Sequence, residues 1–178
     1  MGETGENLPA VISAGSVPEL KQRGAGTCPA EVFWSAVGSF AGIGMVSFLA
    51  VHYQVPLIAT SFGSSAVLLY AACGTPMAQP RNVLGGHLVS ALAGVLIFQL
   101  CGSNWWAFAL AVSLAIAGMQ VTRTMHPPGG ATAFVAVYNQ QGFLYIITPI
   151  AVGAVILILV ALLVNNLAKD RKYPVNWL

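Results

Sequence analysis

The sequence predicts an all-α membrane protein of about six membrane segments, two of them short or broken helices, in a layout compatible with two inverted three-segment repeats. Three observations predict it. Hydrophobic residues make up 57% of the 178 positions and charged residues only 7%, against about 25% charged in soluble domains. The charges gather at the two ends: between Glu31 and Asp170 there is no carboxylate side chain, and between Glu31 and Lys169 the only cations are Arg81 and Arg123. The apolar runs between those ends have helical length and show no strand-like alternation, and a helix satisfies its own backbone in lipid. A water-soluble globule is excluded.

The first run, from about Val32 to Tyr53, is long enough to cross a hydrocarbon core of about 30 Å, and Gly38 and Gly42 give it a close-packing face. The second, from about Val55 to Cys73, opens with Pro56 and is interrupted at Ser61-Phe62-Gly63-Ser64-Ser65, so its regular helix starts near Gly63. Thr75-Pro76 and Gln79-Pro80 end it. The third, from about Asn82 to Leu100, carries Gly86, Ser90 and Gly94 at every fourth position, a small-residue stripe for tight helix contact. Gly102-Ser103-Asn104 turns the chain into the fourth, which starts at an interfacial anchor, Trp105-Trp106, and runs to about Val121. After His126-Pro127-Pro128-Gly129-Gly130 there is room for a helix of about 12 residues, roughly 18 Å, too short to span alone. The last run extends from about Phe143 to Val164.

Six crossings put Lys21, Arg23, Arg81, Arg123, Lys169, Arg171 and Lys172 on one side, as the positive-inside bias requires, with both termini on that side. Residues 1–30 read as a flexible N-terminal tail with no cleavable signal, 31–168 as the transmembrane helical domain and 169–178 as a basic C-terminal tail. The second and fifth segments echo each other, since each places a small-residue loop before a short apolar helix in the middle of a group of three. Three crossings per group insert the groups in opposite senses, as in many transporters. A net charge of +2 without a basic run gives no footprint for nucleic acid. Cys28, Cys73 and Cys101 show neither paired nor metal-finger spacing.

If both short helices start inside the bilayer, their amino ends face a shared middle. Helix starts carry partial positive charge and unpaired N–H groups, which suits an anion that must shed water. The expected substrate-binding set is His126, Pro127, Pro128, Gly129 and Gly130 at one start, Gly63, Ser64 and Ser65 at the other, and Arg81, Asn82, His87, Ser90 and Arg123 around them. Asn82, Gly86 and Ser90 fall on one face of the third span, a polar pore stripe, and Ser113 and Gln120 share a face of the fourth. Arg81 and Arg123 raise the local anion concentration or simply mark topology. His52 lies near an interface and reads as a snorkelling group. No cofactor or metal is expected, because two histidines without Cys or acid support supply a metal poorly. An enzyme is not expected either, since a general acid–base pair would rest on His alone.

Two separated motifs carry a family resemblance. Gln79-Pro80-Arg81-Asn82-Val83-Leu84-Gly85-Gly86-His87 and Thr122-Arg123-Thr124-Met125-His126-Pro127-Pro128-Gly129-Gly130-Ala131-Thr132-Ala133, with the closing Asn165-Asn166 and Tyr173-Pro174, resemble the HPP family of integral membrane proteins. The likeness covers about Glu31 to Trp177. It implies four membrane helices, fewer than the six segments above, and a transport role associated with nitrite in cyanobacteria and chloroplast envelopes. The expected function is therefore a channel or secondary transporter for a small monovalent anion, nitrite first, in a bacterial inner membrane or chloroplast envelope. Its partners would be the lipid bilayer and other copies of itself, the small-residue faces suggesting a homo-oligomer. The alternatives are a His-based metal- or haem-binding redox protein and a structural membrane subunit that transports nothing.

Overall fold

A computed structural model describes residues 28–177; the expected N-terminal tail lies outside them up to residue 27, while Cys28 caps the first helix and Pro29 and Ala30 already belong to it. All regular elements among the described residues are helical. Helix α1 is Pro29–Tyr53, α2 is Ser61–Ala66 continued by one wide turn to Ala71, and α3 is Pro80–Cys101. They are followed by α4, Trp105–Val121, α5, Pro128–Tyr138, and α6, Val152–Leu167.

The boundaries follow from local chemistry. Pro29, Pro80 and Pro128 stand in the first turns of α1, α3 and α5, where a missing N–H costs nothing and φ is already set. Helix α4 stops in a Schellman turn: Arg123 sits at φ 55°, its N–H donates to Gln120 O at 3.1 Å, and Thr124 N–H donates to Met119 O at 2.9 Å. Helix α5 stops the same way, with Gln140 at φ 54° and Gln141 N–H donating to Ala136 O at 2.8 Å.

The last run differs from its reading as one continuous span beginning near Phe143. It enters through a wide turn, Ile146–Ala151, in which Thr148 is extended (φ −129°, ψ 117°). Thr148 precedes Pro149, and the proline ring forces the preceding residue out of the helical region while removing a donor.

Three helical stretches are long and apolar enough to cross a membrane: Pro29–Tyr53, Pro80–Cys101 and Ile146–Leu167. With 17 residues, α4 reaches about 26 Å and stands at the short end of spanning length. Ser61–Ala71 and the 11-residue α5 are half-length. Counting α4 with the three long helices gives four full-length helices, the number that the family resemblance implies, and the remaining two of the six segments are half-helices.

The halves pack reciprocally. Helix α3 lies against α4 and α5, whereas α6 lies against α1 and α2, and the two half-helices meet between these groups. Small residues set the distances. An added Cβ on Gly94 would sit 2.5 Å from Ala133 O, and one on Gly38 would sit 2.6 Å from the Tyr70 ring, so both small-residue stripes read from the sequence are helix contacts.

Hydrogen bonds gather the basic residues at one end. The Arg171 guanidinium donates to Tyr70 O at 2.7 Å, Glu31 O at 2.6 Å and Ser35 Oγ at 2.8 Å, tying the ends of α6 and α2 to the start of α1. Arg81 Nη2 donates to Thr122 O at 3.3 Å, joining the start of α3 to the end of α4. The expected C-terminal tail is thus partly an integral strut: Tyr173 is buried and its hydroxyl donates to Ala78 O at 2.9 Å. Burial pushes the Tyr173 phenol well above its usual range, so it stays a donor.

Candidate functional site

The centre of the bundle holds a cluster of buried polar side chains drawn from both half-helices and α3. His87, Ser90, His126, Thr132 and Ser65 have no exposed surface, and Ser61 has 1%. Ser61 and Ser65 lie one turn apart on α2, so both point at the same neighbour. Ser61 Oγ is 2.9 Å from Thr132 Oγ1, and Ser65 Oγ is 3.0 Å from His126 Nε2. Because the earlier residue of α2 meets the later one of the partner segment, α2 and α5 pass antiparallel and side by side.

His87 and His126 face each other with ring centroids 4.8 Å apart, joined through one hydroxyl. Ser65 Oγ is 2.8 Å from His87 Nε2 and 3.0 Å from His126 Nε2. The far nitrogens are also held: His87 Nδ1 lies 2.8 Å from Thr132 Oγ1, and His126 Nδ1 donates to Met77 O at 2.8 Å. Two glycines make this approach possible. A Cβ on Gly86 would lie 2.5 Å from His126 Cβ, and one on Gly129 would lie 2.5 Å from Ser90 Oγ. All four imidazole nitrogens have hydrogen-bond partners, which leaves none directed at a metal, and no group of three metal-ligating side chains exists among the described residues.

The expected anion cradle of free amides is corrected at α5. Pro127 and Pro128 have no N–H, and the next two amides are already used: Gly129 N–H donates to His126 O at 2.9 Å and Gly130 N–H to Pro127 O at 3.1 Å. The two helix starts lie beside each other's first turns and do not face across a vestibule. Gly63 and Ser64 point outward, away from the cluster. The expected pore stripe is closed as well, since Gly86 and Ser90 are buried against the His126–Gly129 segment. Ser113 and Gln120 are exposed on the outer face of α4.

Arg81 and Arg123 are exposed and Asn82 is half-buried, and the three share a cleft of about 230 Å³ at the basic end with Pro76, Gln79 and Trp177. Asn82 Nδ2 donates to Met125 O at 2.9 Å, which fixes the loop carrying His126. Pro127 is exposed, Pro128 is buried and Gly130 is half-buried. His52 is exposed and stacked on Phe48 at 5.1 Å, far from the site in role.

Sequence reasoning missed Thr132, Ser61 and the Met77 carbonyl as members of the cluster. Thr132 lies in the second motif, and Ser61 precedes Ser65 by one helical turn, so a hydroxyl pair on one face of α2 was available as a signal. The Met77 carbonyl had none. Ser90 Oγ is the exception in the cluster: among the described residues it is a buried polar atom with no hydrogen-bond partner.

These features define a polytopic α-helical membrane protein with broken central helices and a sealed His–Ser–His core. The HPP transmembrane-region family model matches residues 25–174, and the chain belongs to that family. A transmembrane protein of Dictyostelium discoideum is 46% identical over 161 residues, covering 83% of this chain and 51% of the relative. A second from the same organism is 41% identical over 159 residues, covering 83% of this chain and 56% of the relative. The chain thus spans about half the length of the curated relatives it matches. No solved structure matches.

Proposed function

We propose that the protein is a secondary transporter for a small monovalent anion, with nitrite the first candidate. The observation that carries this reading is the position of the sealed His87–Ser65–His126 core directly behind a cationic cleft. Five cations and two carboxylates occur among residues 28–177, Arg81, Arg123, Lys169, Arg171 and Lys172 against Glu31 and Asp170. This excess favours anion approach at the end where Arg81 and Arg123 line the cleft. Between Glu31 and Asp170 the chain offers no carboxylate to a cation.

Side chains take over the role expected of helix amides: the Arg81 and Arg123 guanidiniums, the Asn82 amide, the unpartnered Ser90 hydroxyl and the two imidazoles. Burial of the core on both sides favours a carrier that alternates access over an open pore. The anion is carried unchanged, so the protein is not an enzyme in this reading. The long helix with least burial is α1, with Phe33, Phe40 and Phe48 outward, and it is the face on which we place contact with a second copy. The proposed membrane, following the family resemblance, is a bacterial inner membrane or a chloroplast envelope.

Nitrite uptake into liposomes holding the purified protein tests the reading. The protein is expected to raise uptake above that of empty liposomes, with His126→Ala lowering it strongly and His52→Ala leaving it unchanged. Arg81→Gln and Arg123→Gln are expected to weaken uptake most at low salt, where screening is least. Uptake equal to that of empty liposomes rules the reading out.

A further inference from the structure

We propose that the central hydrogen-bond chain is a proton relay joining opposite ends of the bundle, so that the anion crosses together with a proton. This rests on the anion-transport reading and adds the coupling ion to it. The chain runs Ser61, Thr132, His87, Ser65, His126, Met77 O, with successive separations of 2.9, 2.8, 2.8, 3.0 and 2.8 Å. Each end stops one residue short of a cleft. Thr60 lines a cleft of about 270 Å³ at the uncharged end, shared with Tyr145, and Pro76 lines the Arg81–Arg123 cleft at the basic end.

One carbonyl orients the whole neutral chain. Met77 O can only accept, so His126 carries its proton on Nδ1 and presents a bare Nε2. Ser65, whose hydroxyl also has Ser61 O as an acceptor at 3.1 Å, then donates to His126, and His87 Nε2–H donates to Ser65. His87 Nδ1 is left to accept from Thr132, which requires the Thr132 hydroxyl to turn from Ser61 Oγ, its acceptor at 2.9 Å, and Ser61 to donate in its place.

A second complete pattern exists with one proton more. His126 then donates from both nitrogens, to Met77 O and to Ser65; Ser65 donates to His87 Nε2, His87 Nδ1–H to Thr132, and Thr132 to Ser61. No heavy atom moves between the two patterns.

Conversion is a hop along the chain. A proton arriving at Ser61 Oγ displaces that of Ser61 to Thr132, that of Thr132 to His87 Nδ1, that of His87 Nε2 to Ser65 and that of Ser65 to His126 Nε2. Each O–H or N–H bond broken is replaced by one formed, and no electrons are exchanged. The proton taken up at the uncharged end comes to rest on His126, beside the basic cleft. There it offsets the charge of the anion travelling with it toward the basic cleft, which would otherwise be buried unpaired.

The elements around the relay bring few competing charges. Charged and titratable groups on them are Arg81 at the start of α3, Arg123 just beyond α4, and Glu31 and the exposed His52 at the two ends of α1, which packs against α2. Tyr145 donates to Thr132 O at 3.3 Å, and Tyr173 donates to Ala78 O next to Met77. The imidazoles of His87 and His126 face each other, and their mutual repulsion limits the pair to one extra proton.

The test uses the whole protein in liposomes containing a trapped pH dye, with nitrite uptake and internal pH followed together. Nitrite influx is expected to acidify the interior beyond the leak of empty liposomes. Thr132→Val keeps the volume but cuts the chain, and is expected to slow the coupled acidification by at least about tenfold, while Thr132→Ser retains the hydroxyl and stays near the parent rate. Ser65→Ala should behave like Thr132→Val. Nitrite uptake without proton movement, or equal rates in Thr132→Val and Thr132→Ser, overturns the relay and leaves anion transport standing. Proton movement without nitrite uptake upholds the relay and overturns the anion reading.

Discussion

The α3–α4–α5 group and the α1–α2–α6 group both pack through glycine, yet they use it for opposite ends. In the first, the space left by glycine is filled by backbone or by the near atoms of non-aromatic and imidazole side chains: Ala133 O at Gly94, His126 Cβ and Thr124 O at Gly86 and Ser90 Oγ at Gly129. In the second it is filled by one aromatic ring at a time, Tyr70 at Gly38 and Gly42 and Phe62 at Gly153. Close backbone approach gathers polar side chains from separate helices and lets them saturate one another. A socket for a ring produces an apolar joint, fastened by single polar tips such as the Tyr70 hydroxyl, which donates to Leu157 O at 3.0 Å. The same residue type therefore builds a functional core in one group and a structural seam in the other.

The sharpest way to break this contrast is to fill one socket of each kind. Gly94→Ala meets a carbonyl that cannot turn aside, and is expected to cost about 3 kcal/mol or to prevent accumulation of folded protein. Thermal unfolding in detergent measures it. Ala136→Gly, which removes the Ala136 Cβ contact at 2.7 Å, should give no rescue, because the Ala133 backbone remains in the way.

Gly42→Ala meets the hydroxyl end of the Tyr70 side chain rather than backbone and is expected to cost about 2 kcal/mol. Here a second change should help: combined with Tyr70→Leu, the loss should fall short of the summed single losses by about 1 kcal/mol. Additive losses at both glycines would erase the distinction between the two groups.

The smallest effect is expected at Arg123, which holds φ 55° at the end of α4 although glycine adopts that conformation more cheaply. Arg123→Gly should leave stability unchanged or raise it by up to about 1 kcal/mol, while still lowering anion uptake at low salt. Loss of stability would mean that the side chain is needed for folding and would remove it from the anion path.

Several features were legible because they depend on residues close in sequence. The half-length of α5 follows from the distance between Pro128 and the Asn139-Gln140-Gln141-Gly142 turn, and the small-residue stripe on α3 follows from helical periodicity alone. The break at Thr148-Pro149 was readable from the proline but was overridden by the hydrophobicity around it. Gly63 and Ser64 were assigned to the site by analogy with Gly129 and Gly130, and they point outward because α2 begins two residues earlier, at Ser61, and so turns a different face inward.

By itself the sequence determined that the chain lives in a membrane, how many segments it has, which end is basic and which motif supplies the histidines. These are matters of composition, length and period, and lipid permits few alternatives. Only the tertiary structure decided that α2 and α5 lie side by side instead of end to end, and that one serine bridges two histidines 22 and 61 positions away. The reason is that a hydrogen-bonded core depends on distances of about 3 Å between separate helices, and those distances come from how helices cross, which no local pattern encodes.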